Sequence, residues 1–430
     1  MSADKDQPAK PGSSPFNRTV QHDAKRSAIL SQAAKLFNGR GSRATTLLDI
    51  AQSLGLTKTS LYYYVKTKED LIYQCYVAAL EHQLAGLDQI ERARSGARER
   101  LSAVLRAHFV DWREAHAGRR NHTAALMEIA SLKDQHREDV EKLYVDLFLR
   151  LRQYFRDGIA EGSIRPMEST AATLGLIGSM NWSFNWLRTV PMENLDTVID
   201  AACDLLENGL SNAPGEYQFS DLTFDSAEPA TTQGFDREHQ NRLKQDAFYR
   251  TGTWFFNKKG FAGTSLDEIA ETLNVTKGAF YYHIKNKEDL LYNCYTRSLD
   301  ILNRIHDEAQ AIPDGIQRLE YICRDSFHIQ NSDSGPLIRY NSITALPSER
   351  RRDILEATEK ANDRFGQYIS EGIADGSVRP VNVEVSQQLI SGAMNASMDL
   401  GMWRKVDDVD QASKDYYDLF FNGLNPRNNG

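Results

Sequence analysis

The sequence has few cysteines and no long apolar segment. Four cysteines among 430 residues are too few for a disulfide scaffold, and none stands in a C-x-x-C pair. No apolar run reaches the roughly 20 residues that span a bilayer. The first 16 residues are polar and lack the apolar core of a secretory signal. We therefore predict a cytoplasmic protein without membrane contact, whose residues 1–16 form a disordered tail.

The chain also lacks an excess of basic residues, since its net charge is −8. This charge argues against a protein that coats nucleic acid without regard to sequence. It does not argue against DNA binding at one site, because phosphate contact depends on a local patch and not on the total charge.

Catalytic motifs are missing as well. The sequence contains no G-x-S-x-G, P-loop, H-E-x-x-H or dinucleotide fingerprint, and its ten histidines are scattered. Carboxylate pairs such as Glu69 and Asp70 stand at predicted helix starts, where capping and the helix dipole explain them. We predict that the protein is not an enzyme and has no cofactor, no metal site and no catalytic residues.

The chain does contain a long internal repeat. Residues 45–71 (TTLLDIAQSLGLTKTSLYYYVKTKEDL) match residues 264–290 (TSLDEIAETLNVTKGAFYYHIKNKEDL) at an offset of 219. Residues 158–166 (GIAEGSIRP) match residues 372–380 (GIADGSVRP) at an offset of 214. Two matches in the same order indicate a duplication of about 200 residues, so each copy has the size of a domain or more.

Helical periodicity dominates each copy. From Val140 to Ile159, apolar residues recur at steps of three and four over about five turns. No stretch shows the alternation that is typical of strands. The predicted fold class is therefore all-α.

The repeated segment predicts a helix, a tight turn and a second helix. Thr45 or Thr46 can cap the first short helix, and Gly55 permits the left-handed conformation that ends it. Thr57 can cap a second short helix, and Thr67 resembles the start of a longer third one. This is the helix-turn-helix geometry, in which the second helix enters the major groove of DNA.

The predicted second helix has two different faces. Leu61 and Val65 are four residues apart and can pack inward. Hydroxyl groups and a lysine remain for the other surface, which suits phosphate oxygens and base edges. The alternative is that the tyrosines are core residues and the lysines a solvated face. Because the same order of residue types occurs twice, we favour the DNA-reading interpretation.

The run DIAQSLGLTKTSLYYYVKTKEDL resembles the DNA-binding signature of TetR-family regulators, and EIAETLNVTKGAFYYHIKNKEDL resembles it more closely. The resemblance is specific over about 55 residues per copy. It implies two tandem modules, each a three-helix helix-turn-helix domain followed by a helical ligand-binding and dimerisation bundle. It also implies DNA contacts at Thr46, Lys58, Thr59, Ser60, Tyr62, Tyr63, Tyr64 and Lys68, and at Ser265, Lys277, Gly278, Ala279, Tyr281, Tyr282, His283 and Lys287.

Domain boundaries follow from the repeat and the composition between its copies. Residues 212–234 carry Pro, Gly, Ser and Thr without helical period, which indicates a linker. The predicted organisation is a tail (1–16), a first helix-turn-helix domain (17–71), a first sensor domain (72–211), a linker (212–234), a second helix-turn-helix domain (235–290) and a second sensor domain (291–425).

The two DNA-binding domains differ in charge. Residues 17–71 contain nine basic and four acidic residues, whereas residues 235–290 contain nine and eight. The net charges are therefore +5 and +1. We expect the first domain to supply more of the salt-dependent affinity for DNA.

The sensor domains offer ligand candidates only through the resemblance. GIAEGSIRP is similar to a loop in relatives that sense acyl-CoA thioesters, although it also describes an ordinary turn between helices. On this basis, the candidate ligand contacts are Trp182, Arg188, Trp403 and Arg404. The alternative is that the aromatic residues near Met180 belong to the core or to a dimer interface.

The resulting hypothesis is a sequence-specific transcriptional regulator whose partners are a double-stranded operator and a small-molecule effector. The effector, an acyl-CoA or another hydrophobic molecule, would relieve repression. Two recognition helices about 34 to 36 Å apart would read successive turns of DNA. They belong either to one chain, as an intramolecular pseudo-dimer, or to a homodimer. The alternative function is a ligand-binding or protein-interaction scaffold in which one or both DNA-binding modules are inactive.

Overall fold

A computed structural model describes residues 15–126, 129, 132–213, 215–224, 237–332 and 335–426. Most of the tail predicted at residues 1–16 lies outside this part of the chain. Apart from a single bridge between Ser211 and Val378, the regular structure of the described residues is helical. The predicted all-α fold is confirmed.

The first copy contributes eight α-helices within the described residues. They are α1 (Pro15–Arg40), α2 (Leu47–Ser53), α3 (Lys58–Tyr62), α4 (Lys68–Ala93), α5 (Ala97–His116), α6 (Asp134–Glu161), α7 (Ser169–Trp186) and α8 (Leu195–Asn208).

The second copy repeats this order. Its helices are α9 (Arg237–Gly263), α10 (Leu266–Thr272), α11 (Lys277–His283), α12 (Lys287–Ala309), α13 (Gly315–Gln330), α14 (Ser348–Asp375), α15 (Val383–Ala396), the short α16 (Leu400–Trp403) and α17 (Val409–Asn422). Helix α9 is interrupted at Gly260, whose φ is +66°, and the matched Gly41 has φ +79° just after α1.

The short helices begin as the sequence predicts. The Thr46 hydroxyl accepts from the Asp49 N–H while the Asp49 carboxylate accepts from the Thr46 N–H, which completes a capping box at α2. At α3 the Thr57 hydroxyl accepts from the Ser60 N–H, and at α4 the Thr67 hydroxyl accepts from the Asp70 N–H. These caps fix the residues at which α2, α3 and α4 begin, and they thereby help to orient α3 relative to its neighbours.

The turn between α2 and α3 needs a left-handed residue in both copies. Gly55 supplies it with φ +64°. In the second copy the matched residue is Asn274, with φ +53°. Asparagine is one of the few residues other than glycine that tolerate this conformation.

The two copies pack against each other through α7 and α15. Gly178 of α7 faces Gly392 of α15, and these residues match each other in the repeat. A Cβ atom at Gly178 would lie 2.9 Å from the Gly392 carbonyl oxygen, and one at Gly392 would lie 2.9 Å from the Gly178 oxygen. Only glycine permits so close a contact of the helix backbones. The pairing therefore has approximate twofold symmetry within one chain.

One hydrophobic core crosses this interface. It joins the first DNA-binding domain, the first sensor bundle and the second sensor bundle. The second DNA-binding domain has a separate core, which also includes Ile343, Leu346 and Ile354 from the following sensor domain.

The segment between the copies lies against the second sensor domain. Tyr217 donates from its hydroxyl to Glu320 at 2.5 Å, and the Ser220 N–H donates to the same carboxylate at 2.8 Å. Arg324 donates to the Ser220 carbonyl at 2.6 Å. Glu320 and Arg324 are fully buried and paired with each other. The described part of the predicted linker is thus bound to the second copy.

Candidate DNA-reading and effector sites

The second helix of each DNA-binding domain has the predicted two faces. In α3, Leu61 and the following Val65 are each 1% exposed, whereas Tyr63 is 76% exposed. In α11, Phe280 is buried and Tyr282 is 84% exposed. Exposed tyrosines that are not needed for the core remain available for contact with DNA.

Most of the predicted DNA contacts lie on the surface. In the first copy the exposed residues are Thr46, Lys58, Thr59, Ser60, Tyr62 and Tyr63. In the second copy they are Lys277, Gly278, Ala279, Tyr281 and Tyr282, with Ser265 half-buried.

Two predicted contacts point back towards their own domain. Tyr64 stacks on His22 of α1, with ring centroids 4.9 Å apart. His283 lies 5.7 Å from the ring of Phe248 in α9. Both side chains are half-buried, so they orient the recognition helix as well as border the reading surface.

Lys68 and Lys287 hold the turn that precedes α2 and α10. The Lys68 ammonium donates to the Arg43 carbonyl at 3.2 Å. The Lys287 ammonium donates to the carbonyls of Phe261 and Thr264 at 2.9 and 2.7 Å. Burial lowers the pKa of Lys287. In this structure the two lysines therefore stabilise the DNA-binding domains from within.

An acidic residue occupies the reading surface of the second copy only. Asp267 lies 2.6 Å from the Lys277 ammonium and 3.3 Å from the Tyr281 hydroxyl. The hydrogen bond from Lys277 lowers the pKa of the Asp267 carboxyl. The matched residue of the first copy is Leu48, and Lys58 forms no ion pair within the described part of the chain. Lysine charge is therefore partly neutralised on α11 but not on α3.

The two DNA-binding domains touch each other. The Arg43 guanidinium lies over the Phe261 ring at 4.1 Å and 3.4 Å from the Glu288 carboxylate. The residue that matches Arg43 is Ala262, so the contact is made once and not twice. Sequence reasoning missed Arg43, because nothing local marks it as a contact residue.

The loop GIAEGSIRP contains a residue that binds the other copy. Arg165 donates to the Gly423 carbonyl at 2.7 Å, to the Asp418 carbonyl at 2.9 Å and to the Asp418 carboxylate at 2.7 Å. Its side chain is 7% exposed. A buried guanidinium of this kind is stable only when its hydrogen bonds are satisfied.

The matched Arg379 makes the reciprocal contacts. It donates to the Gly209 carbonyl at 2.6 Å, to the Asp204 carbonyl at 3.1 Å and to the Asp204 carboxylate at 2.6 Å. Asp204 matches Asp418, and Gly209 matches Gly423. We call these two sets of contacts the arginine clasps. They are self-complementary, as at a twofold dimer interface.

The four ligand candidates lie in different places. Trp182 donates to Gln388 across the interface at 2.9 Å and borders a cavity in the second copy. Trp403 stacks on Phe148 at 3.6 Å, and Arg404 pairs with Asp415 at 2.8 Å. Arg188 borders a separate cleft. The structure does not bring these four residues into one site.

The arginine cleft lies between the copies and has a volume of about 450 Å³. The first DNA-binding domain and the residues around Tyr340 form its walls. Three arginines border it, Arg40, Arg188 and Arg351, and none of them forms an ion pair within the described residues. The cleft therefore suits an anionic group.

The second-copy cavity is smaller than the arginine cleft. It has a volume of about 140 Å³ and lies between α12, α13, α14 and α15. Helix α12 connects it to the recognition helix, since α12 begins four residues after α11 ends. A molecule in the cavity therefore contacts the helix that positions α11.

The same described part of the chain also bears on metal binding, membrane insertion and cysteine chemistry. Its His, Cys, Asp and Glu side chains form no group of three or more that could hold a metal ion. None of its helices is both long enough and apolar enough to cross a membrane. Cys75 and Cys294 are buried, and burial raises the pKa of each thiol to about 12, so both side chains contribute to helix packing.

Two sequence profiles match the chain, and each matches both copies. One, described as bacterial regulatory proteins, tetR family, matches residues 29–75 and 253–293. The other, described as tetracyclin repressor-like, C-terminal domain, matches residues 94–210 and 313–403. Together they cover the greater part of the sequence.

Individual relatives match about one copy. The negative transcriptional regulator IcaR of the biofilm operon icaADBC from Staphylococcus epidermidis is 30% identical over 118 residues, 26% of this chain and 62% of IcaR. The repressor KstR2 from Mycolicibacterium smegmatis is 24% identical over 203 residues, 46% of this chain and 95% of KstR2. The solved structure of the TetR-family regulator PfmR from Thermus thermophilus is 28% identical, covers 41% of this chain and 95% of PfmR, and has a TM-score of 0.36.

Proposed function

This chain belongs to the TetR family of bacterial transcriptional regulators, and we propose that one polypeptide forms a complete ligand-relieved repressor. A single chain would read both half-sites of an operator, one with α3 and the other with α11. The observation that carries this proposal is the pair of reciprocal arginine clasps, which join the two copies as an intramolecular pseudo-dimer.

The operator of such a chain has unlike halves. At matched positions the first copy has Thr59, Ser60 and Tyr64, whereas the second has Gly278, Ala279 and His283. Loss of two hydroxyls changes the hydrogen bonds that the recognition helix can offer to base edges. Each half-site then follows its own copy, and the operator is not a palindrome.

Relief of repression has a direct route through α12. Its first turns pack in the core of the second DNA-binding domain, through Leu290 and Cys294. Its later turns reach the second-copy cavity at Leu299 and His306. A ligand that favours one position of α12 shifts the population of α11 orientations, and DNA affinity changes with it.

An acyl-CoA remains a candidate effector on the strength of one feature, the arginine cleft. Its three guanidinium groups, which lack a carboxylate partner among the described residues, suit the phosphates of such a molecule. Tyr340 borders both this cleft and the second-copy cavity, so one ligand can contact both.

Selection of duplexes from a randomised DNA library tests the proposal. We expect the bound sequences to share two unlike half-sites about one helical turn apart, with one chain per duplex by sedimentation analysis. The double variant Lys58→Ala/Tyr62→Ala should weaken the sequence preference in one half-site. The double variant Lys277→Ala/Tyr281→Ala should weaken it in the other. A palindromic consensus bound by two chains would refute the single-chain reading.

The scaffold alternative has its own outcome in this experiment. If no sequence is enriched above random duplex, and affinity does not fall as salt rises, the chain has lost DNA recognition. The ion pair between Lys277 and Asp267 favours a weaker form of this alternative, in which the second copy contributes less to affinity.

A further inference from the structure

The second-copy cavity has uncharged walls. Aromatic rings of Trp182, Tyr295, Tyr340 and Phe365 surround it together with aliphatic and small polar side chains. Among the described residues, no Asp, Glu, Lys or Arg borders the cavity. A charged ligand would lose its hydration there without gaining a counter-ion.

Two buried polar groups border the cavity without a partner in the protein. His306 is 4% exposed and Ser326 is 2% exposed. Neither the His306 Nδ1 atom nor the Ser326 hydroxyl makes a hydrogen bond within the part of the chain that the structure describes. An unsatisfied buried polar group destabilises the protein, so a ligand that forms hydrogen bonds with both groups gains affinity from this deficit. Burial also lowers the pKa of His306 to about 4, which leaves the imidazole neutral near pH 7.

The size of the cavity limits the ligand. A protein cavity of about 150 Å³ holds one benzene molecule. The present volume of about 140 Å³ therefore admits a single small ring or a short chain of similar bulk.

Larger side chains fill the corresponding space of the first copy. Leu87 stands where the second copy has His306, and Tyr144 stands where it has Thr358. Phe148 replaces Asn362, and Ile177 replaces Ser391. Phe148 is fully buried, and Trp403 of the second copy stacks on it. These replacements reduce the space, and Leu87 removes the polar group that His306 supplies in the second copy.

We infer that each chain binds one effector, in the second copy only. The effector is a small neutral ring compound with a hydroxyl or carbonyl group that pairs with His306 and Ser326. Its role as an effector rests on the proposed function, whereas its binding does not.

Phenol, cyclohexanone, toluene and benzoate are suitable probes in calorimetry and thermal unfolding of the full chain without DNA. We expect phenol or cyclohexanone to bind once per chain and to raise the unfolding temperature. Toluene should bind at least tenfold more weakly, because it leaves His306 and Ser326 unpaired, and benzoate should not bind. Failure of every neutral probe, or binding of two molecules per chain, overturns the inference.

Substitutions that install the matched residue of the first copy test the location of the site. Asn362→Phe should abolish binding by filling the cavity, and His306→Leu should weaken it at least tenfold. If Asn362→Phe does not fold, Ser391→Ile tests the same point with a smaller change. The matched control Leu87→Ala in the first copy should leave affinity for phenol within twofold.

Two further measurements distinguish ligand binding in the cavity from its effect on DNA binding, and a neutral ligand from an acyl-CoA. If phenol binds but does not release operator DNA, the cavity is confirmed and the effector role proposed for it is wrong. If butyryl-CoA binds more tightly than phenol and loses affinity on Arg188→Ala, the neutral-ligand assignment is wrong. In that case the phosphates occupy the arginine cleft.

Discussion

The two copies of this chain keep both members of each pair that joins them, whereas they differ at several positions that face DNA or the second-copy cavity. Gly178 matches Gly392, and Arg165 matches Arg379, at an interface that needs both members of each pair. A self-complementary surface constrains both copies at once. DNA-reading and ligand-binding positions carry no such constraint in a fused chain. The comparison teaches that fusion keeps the paired contacts between the copies, while individual positions of the DNA-reading surfaces and of the cavity diverge.

Removal of one clasp should have the largest effect. Arg165→Ala leaves the Asp418 carboxylate and two carbonyls without their donor in a buried setting. We expect a loss of about 3–5 kcal/mol in the free energy of unfolding, measured by urea titration. Arg379→Ala should cost less, because its partner carboxylate is more exposed. Arg156→Ala on the exposed face of α6 is the control, and an equal loss there would contradict the role of the clasp.

Acidification should weaken both copies through histidines that are shielded from solvent. Burial lowers the pKa of His108, His122 and His306 to about 4. Since the unfolded chain binds these protons near pH 6.5, their contribution to stability is complete above that pH and declines as pH falls towards 4. The loss is on the order of 3 kcal/mol each for His108 and His306, and it is smaller for His122, which is half-buried. Urea titrations from pH 7.5 to 4.5 measure it.

Single variants divide this pH dependence between the copies. His306→Leu, which installs the residue of the first copy, should flatten the profile by less than half, because His108 and His122 still titrate. The partly exposed His22 is the control, and His22→Gln should leave the profile unchanged. An unchanged profile in His306→Leu would show that its protonation is not linked to folding.

The smallest effect concerns the reading surface. Asp267→Leu gives the second copy the residue of the first and releases Lys277 from its ion pair. We expect operator affinity to rise about three- to tenfold, with a salt dependence steeper by about one phosphate contact. Fluorescence anisotropy across salt concentrations measures both. Asp363→Leu on α14 makes the same change of charge far from the reading surface. A similar gain in operator affinity in that variant would show that net charge alone causes the effect.

Much of the fold follows from local sequence signals. Thr46, Thr57 and Thr67 cap helices where short-range chemistry requires caps, and Gly55 turns the chain where only a left-handed residue fits. Such features depend on neighbours within four residues. The inward position of Leu61 follows from helical periodicity in the same way.

The remaining features depend on contacts between distant residues. Arg165 lies in a loop with the sequence of an ordinary turn, and its partner Asp418 is some 250 residues away. Lys68 is a residue of the type that contacts DNA phosphates, yet its ammonium donates to the Arg43 carbonyl. The second-copy cavity arises from small side chains on four helices. The repeat does contain one sequence signal for this cavity. Asn362 and Ser391 of the second copy align with the much larger Phe148 and Ile177 of the first.

The arginine clasps also bear on how a cell inherits and controls this regulator. Both partners of each clasp belong to one polypeptide, so their pairing does not depend on how many molecules are present. Under the proposed function, repression responds in proportion to gene dosage, without the threshold that a dissociating dimer imposes. A defective variant would then form no mixed dimers with the product of an intact gene, so loss of DNA binding in one product would leave the other unaffected.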